Sequence, residues 1–389
     1  VPDIKKYEPL WGAWRIESLI GRGAYSKVYK VRREVFDKVH YAAVKIISIP
    51  QDESEIRQMR REGLDEAAMR RFFKTFAKNI MTGIDLISQF RGNSHIVSIE
   101  DYQIIEEKTD TIAWDILIRM ELLTSLADLV AQTPLPEKET IKLGVHICRA
   151  LELCALKDII HRDVNPDNIF VSPYGDYKLG DFGVARQADR TSQMTKQGTN
   201  TYMAPEVFKD EPYGANVDTY SLGIVMYSLL NRNRTPFLPD YPQPILPNDR
   251  VLALQKRMRG EPVPILEGVA PRLNSLVRKA CAFDRQERFA DPTEMRKALE
   301  ALSTKTRQWT LIENELQPEK VLPGSGIFDK PPDKTQDRPI QGDPASEFTP
   351  QGGHANKTDR KTDPSQNNKQ LEWWEPKQRP IPFQTNNER

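Results

Sequence analysis

A chain of 389 residues can hold one large two-lobed domain or two ordinary ones. Its 56 basic and 55 acidic side chains nearly cancel, so no global field argues for nucleic acid or an anionic membrane as a partner. Three cysteines exclude a disulfide framework: Cys148, Cys154 and Cys281 lie in helix-like apolar surroundings without zinc-ligand spacing and read as buried, reduced thiols. The longest strongly apolar run, LGIVMYSLL from Leu222 to Leu230, is far short of the ~20 residues that cross a bilayer, and no signal peptide is read at the start. A soluble, cytoplasmic protein with no membrane span in this chain is expected.

From Trp11 to about Leu123 the pattern is mostly that of strands. WRIESLIGRGAYSKVYKVRR reads as two strands around a glycine turn, and VHYAAVKIIS as a third. Gly21 and Gly23 let a backbone approach phosphates closely, although a plain hairpin turn explains them equally well. In YAAVKII, strand alternation puts Tyr41, Ala43 and Lys45 on one face. A lysine between Val44 and Ile46 either reaches solvent from an edge strand or meets an anion such as a triphosphate. ESEIRQMRREG and DEAAMRRFFKTFAKNI then read as helices, with Gly63 as a stop between them. Their basic face could dock a phosphorylated loop or partner, or simply be solvated.

From Thr124 to Leu302 helices dominate. EKETIKLGVHICRALELCALKD carries apolar residues at helical spacing, and VDTYSLGIVMYSLL is apolar nearly all round, as a buried helix is. Composition breaks near residue 302. The last 87 residues hold 11 of the 29 prolines but only nine Val, Leu or Ile, too little apolar surface to offset the entropy of ordering. Residues 303–389 are expected to be a mostly disordered, Pro-rich tail, in which Trp373 and Trp374 offer an anchor to a tail-binding partner.

The chemistry is concentrated in HRDVNPDNIFVSPYGDYKLGDFGVAR. Asp163 and Asn168 are five residues apart, and Asp181 follows Asn168 by thirteen. A loop, a short hairpin and a second loop can bring the three together. One carboxylate (Asp181) and one amide (Asn168) suit Mg²⁺, which keeps water and phosphate as its other ligands. That leaves Asp163 to receive a hydroxyl proton. GTNTYMAPEV, Gly198 to Val207, closes the segment.

These motifs, in this order, resemble the eukaryotic-type protein serine/threonine kinase family, and segments such as ILIRMELL are similar to its bacterial members. The resemblance runs from about Trp14 to Leu302. It implies an α+β, bilobal protein kinase-like fold, with a small β-rich N-lobe and regulatory helix (11–123) and a larger helical C-lobe (124–302). It also implies ATP and Mg²⁺ as cofactors, and protein substrates bearing Ser or Thr. Carried over by residue, Lys45 pairs with the α- and β-phosphates, Asp163 orients the substrate hydroxyl, and Asn168 and Asp181 hold the metal. Gly21, Gly23 and Val28 cover the nucleotide, and Met120 gates the adenine pocket. Glu121 to Leu123 supply hinge backbone groups, with Ala43 above and Phe170 below the ring. Arg162 implies a site for a phosphorylated activation loop, whose hydroxyls are Thr191, Ser192, Thr195, Thr199 and Thr201. Autophosphorylation is expected among the first three of these. Glu206 is expected to pair with Arg288, and Asp218 to brace the catalytic loop.

Two positions depart from the pattern. Asn165 stands in the catalytic loop where a lysine is usual, and losing one well-placed stabilising donor costs about 3 kcal/mol, roughly a hundredfold in rate. The partner glutamate for Lys45 falls at Gly83, which faces inward because Phe76, Ile80, Gly83 and Ile87 form one stripe. Asp85, the nearest acid, is rotated about 200° to the far side. Lys45 is then left to Asp181 or the nucleotide; a shifted helix would also explain the pattern. An active but slowed kinase is expected, the alternative being a pseudokinase that binds nucleotide as a signalling scaffold.

Overall fold

The computed structural model describes residues 4–23, 26–50, 52–106, 113–182 and 201–302. Five antiparallel strands come first, in the order β1-β2-β3-β5-β4: β1 (Arg15–Arg22), β2 (Ser26–Val35), β3 (Lys38–Ile49), β4 (Ile99–Glu106) and β5 (Trp114–Met120). β3 lies between β2 and β5, so Lys45 is on an interior strand and the edge-strand explanation fails. The strand is covered on both sides. Val44 and Ile46 join Leu10, Trp14 and Val31 on one face, while Ile47 and Ile49 meet the main core on the other.

That main core is closed by two helices, α1 (Glu53–Arg61) and α2 (Glu66–Ser88). Gly63, at φ 87°, makes the turn between them, the expected stop. Asp65 caps α2 by accepting the Ala68 N–H at 2.6 Å. Met69, Phe73, Ala77, Ile80, Gly83, Ile84 and Ile87 are buried along α2, which confirms the inward register of Gly83. α1 buries no residue.

A short sheet, β6 (Thr124–Ser125), β7 (Ile169–Val171) and β8 (Tyr177–Leu179), follows the hinge. Around it are α3 (Leu126–Gln132), α4 (Glu137–Ala155), α5 (Pro205–Phe208), α6 (Asn216–Leu230), α7 (Pro247–Arg259), α8 (Pro271–Ala280) and a last helix, α9, over residues 292–302. Every residue of α6 from Val217 to Leu229 is buried, as its unbroken apolar pattern required. Gly223 permits this: a Cβ there would sit 2.7 Å from the Ala280 Cβ of α8. The three cysteines are buried and free. No helix among the described residues is long and apolar enough to cross a membrane.

Two imidazoles, from the loop before β4 and from α4, meet at Tyr177 of β8. His95 and His146 stack with centroids 4.2 Å apart and grip both backbone groups of Tyr177. His146 Nδ1 accepts the Tyr177 N–H at 3.2 Å, and His95 Nδ1 faces the Tyr177 carbonyl at 3.4 Å. Burial, then the neighbouring His95, pushes His146 down to about 4; burial lowers His95 as well. Asp176 opposes the shift at both rings, and Arg149 assists it. An unfolded imidazole takes its proton near pH 6.5. The stability from His146 is therefore complete above about pH 6.5 and is lost as pH falls toward 4, at about 1.4 kcal/mol per unit. Between about pH 7 and pH 5 the native protein should lose on the order of 2 kcal/mol more than His146→Asn, read from thermal melts. Parallel acid limbs would show that this contact does not titrate.

Candidate active site

The catalytic-loop segment is held by hydrogen bonds at each end. Asp218, buried at the start of α6, accepts the N–H groups of His161 and Arg162, both at 2.8 Å. Burial pushes its carboxyl above the usual range against the pull of those bonds. Arg162 sits in the left-handed region at φ 64°, a non-glycine strain of about 1–3 kcal/mol that these two bonds help to hold. Its guanidinium lies 5.5 Å from the Tyr213 ring centroid.

The same loop is stitched to the strand that delivers Asp181. Gly180 donates its N–H to the Asn168 carbonyl at 2.9 Å, and His161 Nε2 meets the Gly180 carbonyl at 3.0 Å. A Cβ on Gly180 would stand 2.7 Å from Val97 and 2.9 Å from the Phe170 ring, so a side chain there would displace the floor of the cleft. Asp181, at φ 51°, is a second strained position, and its carboxylate pairs with Lys45. Phe182 anchors the segment from below, 4.8 Å from His161 and 6.5 Å from Phe90 between ring centroids.

Within the loop, Asn168 donates Nδ2 to Asp163 Oδ2 and to the Asp163 carbonyl, both at 2.8 Å. With its donor used on Asp163, the amide oxygen of Asn168 is the atom left for a cation. Asn165 also reaches Asp163, donating to Oδ1 at 3.0 Å.

Lys45, Met120 and Asp181 line one cavity of about 50 Å³, together with Ile84 and Ile87 of α2 and with Phe182. Ala43 faces Met120 across the β3–β5 ladder, and Lys45 faces Val28 across β2–β3. Gly21 pairs with Val28, and the Gly23 N–H donates to the Ser26 carbonyl at 2.7 Å. Leu123 lies in the hinge between β5 and β6, and Phe170 on β7. Asp85 is exposed and accepts from the Tyr102 hydroxyl at 2.7 Å, while Lys45 pairs with Asp181.

Two predicted residues are structural props remote from this cleft. Arg288 donates two hydrogen bonds to the Glu206 carboxylate, at 2.6 and 2.9 Å, in a buried bidentate ion pair. Thr201 offers its carbonyl to Arg257. Thr191, Ser192, Thr195 and Thr199, and the whole tail with Trp373 and Trp374, lie outside the described residues.

Sequence reasoning missed one cluster. The Glu121 carboxylate accepts the Ser98 N–H at 2.7 Å and Lys178 Nζ at 2.8 and 2.9 Å. The bond to Lys178 ties the hinge to the strand leading into Asp181. Alternation around Tyr177 and Leu179 turns Lys178 outward, but nothing in the sequence links it to Glu121.

A twisted antiparallel sheet with one long helix, hinged to a helical body and presenting Lys45, Asp163, Asn168 and Asp181 at the junction, defines a bilobal protein kinase fold. The chain belongs to the protein kinase family: residues 14–302 match its protein kinase domain. It is 27% identical over 294 residues to the serine/threonine-protein kinase PknB of Mycobacterium leprae, covering 73% of this chain and 42% of that protein. PknB of Mycolicibacterium smegmatis is 34% identical over 181 residues, 44% of this chain and 28% of its own length. The serine/threonine-protein kinase PknL of Mycobacterium tuberculosis is 31% identical over 182 residues, 45% of this chain and 43% of its own. The chain thus spans less than half the length of these curated relatives.

Proposed function

We propose that this chain is a protein serine/threonine kinase that transfers the γ-phosphoryl group of ATP to Ser or Thr hydroxyls of protein substrates. The observation that carries this reading is the shared frame of the two loops: Gly180, one residue before Asp181, is bonded to both His161 and Asn168. A proton acceptor and a cation site are thereby held in fixed relation, which is what in-line transfer requires. The lobes are taken as 11–123 and 124–302, followed by the tail from 303 to 389, and the location as cytoplasmic.

Lys45 binds the α- and β-phosphates and is oriented by Asp181. Asp163 accepts the proton of the attacking hydroxyl, whose oxygen bonds to the γ-phosphorus as the bond to the ADP oxygen breaks. The Asn168 amide oxygen and the Asp181 carboxylate are the hard oxygen ligands that suit Mg²⁺, which when bound offsets phosphate charge. Gly21, Gly23 and Val28 cover the phosphates, Ala43 and Phe170 flank the base, and Met120, Glu121 and Leu123 border it. Arg162 binds the phosphorylated activation loop, with Thr191, Ser192 and Thr195 as the phosphate acceptors. Incubation with labelled ATP, Mg²⁺ and a generic protein substrate should put label on Ser and Thr. Label no higher than that of an Asp163→Asn control would defeat the proposal.

Gly83 supplies a second test. A carboxylate on its buried face would join Ile84 and Ile87 on the side of α2 that meets the Lys45 cavity, and it would remove a mid-helix glycine costing about 1 kcal/mol. Gly83→Glu should raise kcat several-fold in steady-state assays, with the gain absent in a Lys45→Met background. A flat response would mean that this face does not reach Lys45.

A further inference from the structure

We propose that Asn165 is a positioning residue: it holds the Asp163 carboxylate in the orientation that receives the substrate proton. The inference rests on the catalytic reading of Asp163 given above and deepens it.

The Asp163 carboxylate is gripped from two sides. Asn165 Nδ2 donates to Oδ1 at 3.0 Å and Asn168 Nδ2 donates to Oδ2 at 2.8 Å. Each amide also bonds the Asp163 carbonyl, at 3.1 and 2.8 Å. With separate donors on separate oxygens, rotating the carboxylate about its Cβ–Cγ bond breaks both contacts. Hydrogen bonds to an ionised group are the stronger kind, so the rotation is well opposed.

Asn165 is itself fixed. Its Oδ1 accepts the Asp167 N–H at 2.9 Å and the Asn168 N–H at 3.3 Å, the local turn that short amide side chains favour. One amide therefore caps the loop with its acceptor end and aims its donor end at Asp163. A lysine has three donors and no acceptor, so it cannot close both sets of bonds. An aspartate has the acceptor but no donor. Asparagine is the short side chain that provides both. A loop cap alone would need only the acceptor, and it is the donor contact that points to Asp163.

The test separates those two roles. Asn165→Ala removes both ends of the amide; Asn165→Asp keeps the loop cap and replaces the donor with a carboxylate facing Asp163. Single-turnover transfer from labelled ATP should slow about tenfold or more in the alanine variant and further in the aspartate variant, the loss expected for one charge-assisted hydrogen bond and for added repulsion. KM for ATP should stay within about twofold in both. In an Asp163→Asn background the Asn165→Ala change should cost less than about twofold, because a residue acting through Asp163 has nothing left to position. Melting temperatures identify any loss that comes from misfolding, and the aspartate variant retains the loop bonds if alanine loosens them. An aspartate variant faster than the alanine variant, or an equal alanine cost in both backgrounds, overturns the inference while leaving the kinase reading intact. Absence of transfer by the native protein above Asp163→Asn overturns both.

Discussion

Asp163→Asn should slow single-turnover phosphoryl transfer by about 10²- to 10⁴-fold, the usual contribution of a positioned general base. Affinity for ATP should stay within about twofold. The substitution is nearly isosteric, and the Asp163 carbonyl would still accept from Asn165 and Asn168 at 3.1 and 2.8 Å, so the loop keeps its backbone anchors. Asp218 still holds the two preceding N–H groups. What disappears is the anionic acceptor, and the new amide also sets an N–H group against one of the two donors that faced it. Nucleotide titration together with rapid-quench kinetics separates the effects. A tenfold loss of ATP affinity, or a rate near native, would remove Asp163 from the proton-accepting role.

Arg288→Ala should destabilise the fold by about 3–5 kcal/mol and lower the melting temperature on the order of 10 °C. Arg288 and Glu206 are 3% and 5% exposed, and their two parallel bonds of 2.6 and 2.9 Å leave little room for water. Arg288 also donates to the carbonyls of Ala282 at 2.7 Å and Phe283 at 3.0 Å, and stacks 4.6 Å from the Tyr220 centroid. Truncation strands a buried carboxylate and frees two carbonyls. Removing both charges at once, with Arg288→Leu and Glu206→Leu, should recover much of the loss, since the cost comes from the unpaired ion more than from the missing pair. Differential scanning calorimetry of the single and double variants checks both statements. A single variant that melts within a degree or so of native would show that solvent reaches Glu206.

The two departures from the family pattern fared differently once partners were visible. Gly83 was legible because helical periodicity alone tells which residues share a face: the stripe through Ile80 and Ile87 already pointed inward, and both residues are buried. Asn165 was legible only as a missing charge. Its contribution depends on where the loop places Asp163, Asp167 and Asn168, and a residue's letter does not specify which end of its amide meets which neighbour. The Glu121–Lys178 bond was invisible for the same reason, joining a hinge residue to a strand far along the chain.

The order of strands and helices, the inward stripe of α2, the all-round burial of α6 and the identity of the acid, amide and ammonium groups were set by the amino-acid sequence, because alternation and helical spacing are properties of consecutive residues. Pairing was decided by the tertiary structure: Lys45 with Asp181, His95 stacked on His146, and Asn165 turned onto Asp163. These contacts form between elements whose separation and rotation are determined by how their apolar faces pack. A polar group then takes the partner that this packing leaves within hydrogen-bond reach.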